Sequence, residues 1–319
     1  MSDSAAHPLT SVIIPNWNGA RYLPVCLNSL RLQTYPNFEV IVVDNNSTDD
    51  SISLLEQDYS EVKVIRLAEN RLFAGAVNEG IHQAGGEIIA LLNNDTEADP
   101  HWLTELVRGL ETDRQVGMVA SKMLLFDRRN VINSAGDLYG VDGVPGNRGV
   151  WQKDEGQFDQ MELVFGACGG AAAYRRAMLE EVGLLDEDFV GYCEDVDLAW
   201  RAQLAGWRCL YVPTAIVYHR LSATGGGRTA SFYSGRNFIY VVVKDYPTSL
   251  LKKHWPRVLR GQLRIAWQAL RAWRGEAARA RLWGQLCGLW NLPRMLAKRR
   301  AVQATRQVSD QYLESILSK

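Results

Sequence analysis

Residues 87–99 read EIIALLNNDTEAD, and the fold turns on this stretch. Ile88–Leu92 is a short unbroken apolar run, the pattern of a strand covered on both faces. It breaks off at Asn93-Asn94-Asp95. Polar and acidic groups at the carboxyl end of a buried strand stand where open α/β sheets bind their ligands. Asp95 there can hold a divalent cation, because Mg²⁺ and Mn²⁺ take oxygen ligands and share them with substrate phosphates. The competing reading is a turn, since Asn, Asp and Thr bond their own backbone. The flanking chain chooses between the two.

Upstream, Ser11–Pro15 is a buried strand stopped by proline, Asn16–Gly19 is a loop, and Tyr22–Gln33 carries Leu23, Leu27 and Leu30 at helical spacing. Phe38–Val43 is a second strand closed by Asp44. Asn45–Asp49 then caps a helix through Leu54 and Leu55. Val62–Leu67 is a third strand, and Phe73–Ala84 is a helix closed by Gly85-Gly86. Beyond the central strand a helix runs from Pro100 to Glu111. This alternation predicts an α/β fold with a mostly parallel central sheet and helices on both faces. Asp44, at a strand end, can accept from a ribose hydroxyl or a base N–H; the plainer alternative is a helix cap. No G-x-G-x-x-G follows the first strand and no G-x-x-x-x-G-K-[ST] occurs, so dinucleotide and P-loop readings are weak.

Residues 122–165 read as an irregular, glycine-rich insertion or long loop. Val164–Tyr174 (VFGACGGAAAY) is small enough for a ligand to approach its backbone closely, and Arg176–Val182 is a short helix. From Asp195 to Gly206 the pattern is helical, with Glu194, Asp195 and Asp197 crowding the first turn. Acids are common there because the helix dipole favours them. Burial and mutual repulsion push their pKa values the other way. Trp207–Val212 and Ala215–Tyr218 read as two short strands. His219 follows, at a strand end like Asp44 and Asp95, although a lone His is usually structural. A loop carrying Gly225-Gly226-Gly227 and Arg228 can close over phosphates.

The whole chain has a net charge of -1 over 319 residues. Residues 1–244 carry 20 basic and 32 acidic side chains, whereas residues 245–319 carry 15 and 4. An acidic body therefore precedes a basic tail, and the two meet different partners. Five scattered cysteines without C-x-x-C spacing argue against a zinc site or disulfide framework and for a reducing compartment. The first ten residues lack the pattern of a signal peptide, and no 18-residue apolar window predicts a membrane span.

Taken together these motifs resemble the inverting glycosyltransferases of the large family two, with the GT-A fold, in the rhamnosyltransferase-like branch. The resemblance rests on Val12-Ile13-Ile14-Pro15-x-x-Asn18, Val43-Asp44-Asn45-x-Ser47-x-Asp49 and Asn70-x-x-Phe73-Ala74-Gly75-x-x-Asn78-x-Gly80. It continues through Leu92-Asn93-Asn94-Asp95, Gly166-Ala167-x-Gly169-Gly170, Glu194-Asp195-x-Asp197-Leu198 and His219, covering roughly residues 10–225. Leu72 stands where the family usually has Gly. Asn93-Asn94-Asp95 replaces the Asp-x-Asp of many members, so one carboxylate ligand is missing. The resemblance implies a nucleotide-sugar donor in about residues 10–97 and an acceptor in about 98–228. Asp44 would contact base and ribose, Asp95 and His219 would hold Mg²⁺ or Mn²⁺, and Asp195, beside Glu194, would be the general base. Further donor-side candidates are Pro15, Asn18, Asn46, Asn70, Phe73, Asn78, Asn93, Asn94 and Arg228. Acceptor-side candidates are Gly169, Gly170, Glu194 and Trp200. The donor expected first is dTDP-rhamnose and next a UDP-hexose; the acceptor is a glycan or lipid-linked glycan of the cell surface.

The tail, residues 245–319, is expected to be a separate helical region after a catalytic body of residues 1–244. It holds Trp255, Trp267, Trp273, Trp283 and Trp290, with Leu259, Leu263, Ala266, Leu270, Trp273 and Ala277 at helical spacing among arginines. Gly275 or Gly284, and then Pro293, would separate its helices. Amphipathic Arg/Trp helices lie in membrane interfaces. The expected location is thus the inner face of the cytoplasmic membrane. The alternative is a helical cap packed on the body or on a second subunit, giving a homo-oligomer. Nucleic acid is not expected, since no recognised module accompanies the charge. Two rival functions stand beside the transferase. One is a non-catalytic binding subunit. The other is a sugar nucleotidyltransferase, which would need a glycine-rich basic loop where Asn16–Ala20 offers one glycine.

Overall fold

The computed structural model describes residues 7–220 and 227–319. Its first half runs β1 (Thr10–Asn16), α1 (Leu23–Arg31), β2 (Phe38–Asp44), α2 (Ser51–Asp58), β3 (Lys63–Arg66), α3 (Leu72–Gln83), β4 (Ile88–Leu92), β5 (Thr96–Ala98) and α4 (Trp102–Glu111). Strands β3, β2, β1 and β4 lie side by side and parallel. Side chains alternate across a strand, so one apolar run feeds two cores. Ile13, Ile41, Val43, Ile89 and Leu91 join the cluster that includes α3. Val12, Ile14, Val42, Ala90 and Leu92 join the one that includes α1 and α4.

Leu72 opens α3 with φ of 60°. An L side chain costs about 1–2 kcal/mol in that left-handed region, which glycine visits freely. Leu72 therefore carries backbone strain at the start of α3, where a glycine would not.

The second half is more regular than its composition implies, and here the expectation of an irregular insertion fails. It comprises β6 (Val116–Leu125), β7 (Arg128–Ser134), β8 (Asp137–Tyr139), β9 (Pro145–Asn147), β10 (Glu162–Val164), β11 (Ala171–Arg175), α5 (Arg176–Val182), a 3₁₀ turn at Glu187–Phe189, α6 (Glu194–Leu204) and β12 (Arg208–His219). All ten residues of β6 are buried, including Ser121 and Lys122. Buried polar groups need partners: Lys122 Nζ meets Asp154 and Asp159 at 2.7 and 2.6 Å. The two strands expected over 207–218 are one, β12, with a register shift between Val212 and Ile216.

The sheet order is β10-β12-β6-β11-β4-β1-β2-β3. β11 runs antiparallel to both β4 and β6, and β12 runs parallel to β6. It follows that β1, β2, β4 and β12 end on the same edge, where β11 begins. That edge gathers the site.

The helical part begins earlier than residue 245. It consists of α7 (Gly227–Lys244), α8 (Thr248–Arg271), α9 (Glu276–Trp290), α10 (Leu292–Ala304) and α11 (Asp310–Ile316). Leu250, Met295, Val302, Leu313 and Leu317 are buried in the same cluster as α6. Ser318 N–H donates to Tyr139 O at 3.0 Å, so the chain end is bonded to β8. Gly284 does not break a helix. A Cβ there would stand 2.1 Å from Phe232 O, so its bareness lets α9 press against α7. The buried stripe of α8 is Leu250, His254, Val258, Gly261, Ile265 and Ala269. Leu259, Leu263 and Leu270, read at helical spacing in the sequence, are exposed with all five tail tryptophans.

Candidate active site

Three strand ends are joined by side-chain amides. Asn94, after β4, donates Nδ2–H to Asn16 Oδ1 at 2.7 Å. Asn16, ending β1, donates to Asp44 Oδ1 at 3.1 Å. The other oxygen of Asp44 accepts from Ser47 N–H at 3.0 Å. Asp44 is thereby fixed in one orientation at the end of β2. Asn18 takes φ of 51° and accepts from Thr48 N–H at 2.7 Å, fastening the loop after β1 to the loop after β2. Pro15 stands opposite Val43. Asn46 is exposed beside Asp44 with φ of 61°. Asn70 accepts from Leu72 N–H at 2.8 Å and shapes the turn into α3.

Asp95 and His219 meet across β5 and β12. His219 Nε2 lies 3.3 Å from Asp95 Oδ1. That oxygen is buried and has no hydrogen-bond partner. His219 Nδ1 lies 2.8 Å from Asn133 Oδ1. In the tautomer that donates Nδ1–H to Asn133, the Nε2 lone pair faces a carboxylate oxygen. Two facing lone pairs at this distance fit a shared cation better than each other, and a second-shell bond on the far ring nitrogen is how metal-bound histidines are oriented. Among the described residues no third His, Cys, Asp or Glu joins them, so further oxygens would have to come from water or phosphate.

Asp195, the second residue of α6, accepts from Gly169 N–H at 2.9 Å and Val196 N–H at 2.8 Å. Burial raises its pKa above the ordinary value, and those N–H groups hold the rise back. Glu194 is 6% exposed, with Oε2 unpartnered. Burial first, and then the Asp195 charge, push it well up. Of these adjacent carboxyls, Asp195 accepts two N–H bonds that favour its charged form, whereas Glu194 Oε2 has no partner. Gly170 O accepts from Asn93 N–H at 2.9 Å, and a Cβ on Gly169 would lie 3.8 Å from Phe73. The Gly169-Gly170 link thus brings Asp195 and Phe73 to the strand end that carries Asp95.

Three candidates do not face this cleft. Trp200 is fully buried and packs on Tyr139, Phe165 and Tyr246, because the inner face of α6 needs a large apolar side chain. Asn78 is 6% exposed and bonds Leu185 through both its amide atoms, tying α3 to the 185–187 segment. Arg228 sits in the first turn of α7, on a helix instead of a loop, and lines an open cleft of about 560 Å³ with Phe232, Tyr233, Arg279 and Trp283. The glycines before it, up to Gly226, lie outside the described residues.

Three residues went unnoticed in the sequence. Asn16 was visible only as a loop residue. Asn133 and Asp137 lie in the stretch read as irregular. Asp137 is 3% exposed, with Oδ2 unpartnered, and burial and then the Asp195 charge raise its pKa well up.

Residues 11–183 match the model of "Glycosyl transferase family 2". The O-antigen biosynthesis protein RfbC of Myxococcus xanthus is 32% identical over 68% of this chain. The chain spans only 25% and 18% of the length of the two relatives at 33% and 32% identity. The N-acetylglucosaminyl-diphospho-decaprenol L-rhamnosyltransferase of Mycobacterium tuberculosis is 25% identical over 80% of this chain and 90% of its own. The solved GalNAc-T7 with UDP, GalNAc and Mn²⁺ shares the fold, with a TM-score of 0.62 at 18% identity over 76% of this chain and 48% of its own. With more than half its length matched, and a mixed, mostly parallel sheet between helices as in the GT-A neighbours, the chain belongs to glycosyl transferase family 2.

Proposed function

We propose that the chain transfers a sugar from a nucleotide-sugar to a hydroxyl of a glycan or lipid-linked glycan, inverting the anomeric carbon in one displacement. The observation that carries this reading is the convergence of Asp44, Asp95, His219 and Asp195 on one sheet edge. Asp44 takes the ribose or base with its remaining lone pairs; Asn18, Asn46, Asn70, Phe73 and Asn93 line the donor side. Asp95 and His219 would hold Mg²⁺ or Mn²⁺, which, when bound, supplies charge stabilisation to the departing nucleoside diphosphate. Asp195 accepts the proton of the attacking hydroxyl at its carboxylate, held by the Gly169 and Val196 amides. Glu194, beside it, lines the acceptor side with Gly169 and Gly170.

The names of two relatives support a cell-surface polysaccharide acceptor, and one of them supports a rhamnosyl donor. The test is a thermal-shift panel of dTDP-rhamnose, UDP-glucose, UDP-N-acetylglucosamine and GDP-mannose, with and without Mn²⁺. A ligand at 100 times its Kd stabilises by ~2.7 kcal/mol. At least one donor should shift the midpoint in a Mn²⁺-dependent way, and Asp95→Asn should remove that dependence. Indifference to every donor would overturn the reading.

The exposed face of α8 and α9 supports a membrane-surface location, on the inner leaflet where lipid-linked acceptors are presented. On α8 Trp255 and Trp267 are exposed with Leu259 and Leu263, and on α9 Trp283 and Trp290 are 62% and 87% exposed; exposed apolar surface of this kind supports an interaction surface. No helix among the described residues is long and apolar enough to cross a membrane. Each nearby arginine adds ~1 kcal/mol on an anionic leaflet. Removing the tail would empty part of the core, so substitution is the clean test. In flotation with anionic vesicles, a Trp255→Ser, Trp267→Ser, Trp290→Ser variant should stay with the soluble fraction while the wild type floats. Equal flotation would remove the membrane proposal.

A further inference from the structure

Between the 3₁₀ turn and α6 the chain makes a tight loop, and three of its non-glycine residues sit in the left-handed region: Val190 at φ 72°, Tyr192 at 67° and Cys193 at 70°. Such backbone is sparsely populated and persists only where surrounding groups hold it. Cys193 is the N-cap of α6, two residues before Asp195. Two neighbouring side chains of α7 reach this loop from behind. Asn237, on α7 and completely buried, directs Nδ2 to three carbonyls: Phe189 at 2.9 Å, Gly191 at 3.1 Å and Tyr192 at 2.6 Å. Its orientation is set by its neighbour, since Arg236 Nε–H donates to Asn237 Oδ1 at 2.8 Å. The same guanidinium donates to Asp188 O and Phe189 O at 2.8 and 2.9 Å. α7 is itself braced, because a Cβ on Gly235 would stand 2.3 Å from Arg281 O of α9. The helical extension is thus wedged against the loop that leads into Glu194 and Asp195.

We infer that Asn237, oriented by Arg236, is a positioning residue for the reaction: it holds the 189–193 loop in its left-handed path and so fixes where Asp195 projects. This rests on Asp195 being the base. Misplacing a reacting group by about 1 Å can cost about 10²-fold in rate, so the effect falls mainly on turnover: of the proposed donor-side residues only Phe73 approaches this loop, a Cβ on Gly191 lying 3.8 Å from it, while Asp44, at the end of β2, is held by Asn16 and Ser47.

Three proteins are compared with the wild type: Asn237→Ala, Asn237→Asp, which keeps shape but turns an acceptor toward three carbonyls, and the milder Arg236→Lys. Hydrogen exchange reads the loop without any substrate. Amides of residues 190–196 should exchange at least ~10-fold faster in the Asn237 variants. Hydrolysis of dTDP-rhamnose or UDP-glucose, whichever the wild type consumes, reads turnover. kcat should fall ~10–100-fold, with the acid limb of its pH profile displaced. Calorimetric Kd values for dTDP and UDP with Mn²⁺ should stay within about twofold of wild type. Arg236→Lys should show the same pattern at smaller amplitude, and it carries the test if Asn237 variants do not fold. Unchanged exchange at 190–196, or turnover and nucleotide affinity lost together, overturns the inference. Asp195→Asn runs in parallel: wild-type turnover in that variant overturns the base assignment, whereas an inactive Asp195→Asn beside fully active Asn237 variants overturns the positioning role alone.

Discussion

Asp195→Asn is expected to lower turnover for sugar transfer by about 10²–10⁴-fold, the usual contribution of a positioned base, and to leave the donor Kd unchanged. The amide is isosteric and can keep one oxygen facing Gly169 N–H, but it cannot accept a proton. The pH profile carries the second half of the prediction. Burial places the Asp195 pKa above its ordinary value, only partly offset by the Gly169 and Val196 amides. A base must be deprotonated to act. The acid limb of kcat in the wild type therefore lies above the ordinary aspartate value of about 3.9, and the rate falls as pH drops through it. In Asp195→Asn the residual rate should show no such limb. Steady-state kinetics across pH checks both parts. A variant with wild-type turnover, or a wild type whose rate stays flat down to the ordinary range, would discard Asp195 as the base.

Lys244→Met is expected to cost about 3–5 kcal/mol of folding stability, the range for breaking a buried ion pair from one side. Lys244 is 3% exposed and bonds Asp197, which is wholly buried, and Asp186, at 2.6 Å. Asp197 also pairs with Arg201 at 2.8 Å, and Asp186 with Lys298 of α10 at 2.6 Å. The network joins α6, the 186–188 turn and the helical extension. Its pH window follows from Asp186. Burial works to raise that carboxyl, but Lys244 and Lys298 overcome it and hold the group well below the usual range. A depressed folded pKa contributes stability that is complete above the unfolded value of about 3.9 and lost as pH falls through the folded one. Urea unfolding at pH 7 should show the full loss in Lys244→Met, and the gap to wild type should narrow only at pH 4 and below. Adding Asp197→Asn should recover part of the loss, as a coupled pair does. A cost under about 1 kcal/mol at pH 7 would mean that Arg201, and not Lys244, balances Asp197.

The legibility of the chain follows the same physics. β1, β4 and the second half of β2 are covered on both faces, so each appears as an apolar run, and the helices between them as periodic ones. Asp44, Asp95 and His219 stood out because each ends such a run. β6 and β7 did not, since Ser121 and Lys122 lie inside one and Arg128-Arg129-Asn130 opens the other. Their polar groups are satisfied by residues far along the chain, such as Asp154 and Asp159 for Lys122. Asn133 and Asp137 went unread for the same reason. Asn78, in a motif, and Trp200, just beyond one, were misread because a place in the sequence says nothing about the direction of a side chain.

The alternation of apolar runs and polar strand ends by itself determined the layered α/β order, the acids and histidine at the sheet edge, and a helical basic tail, because these depend on neighbours within a few residues. Only the tertiary structure decided that Asp95 meets His219, that Gly169 holds Asp195, and that α8 buries Val258 and Ile265 while leaving Trp255 and Leu259 outside. Each of these depends on which distant segment covers a face or completes a hydrogen bond, and a repeat along the chain carries no record of that partner.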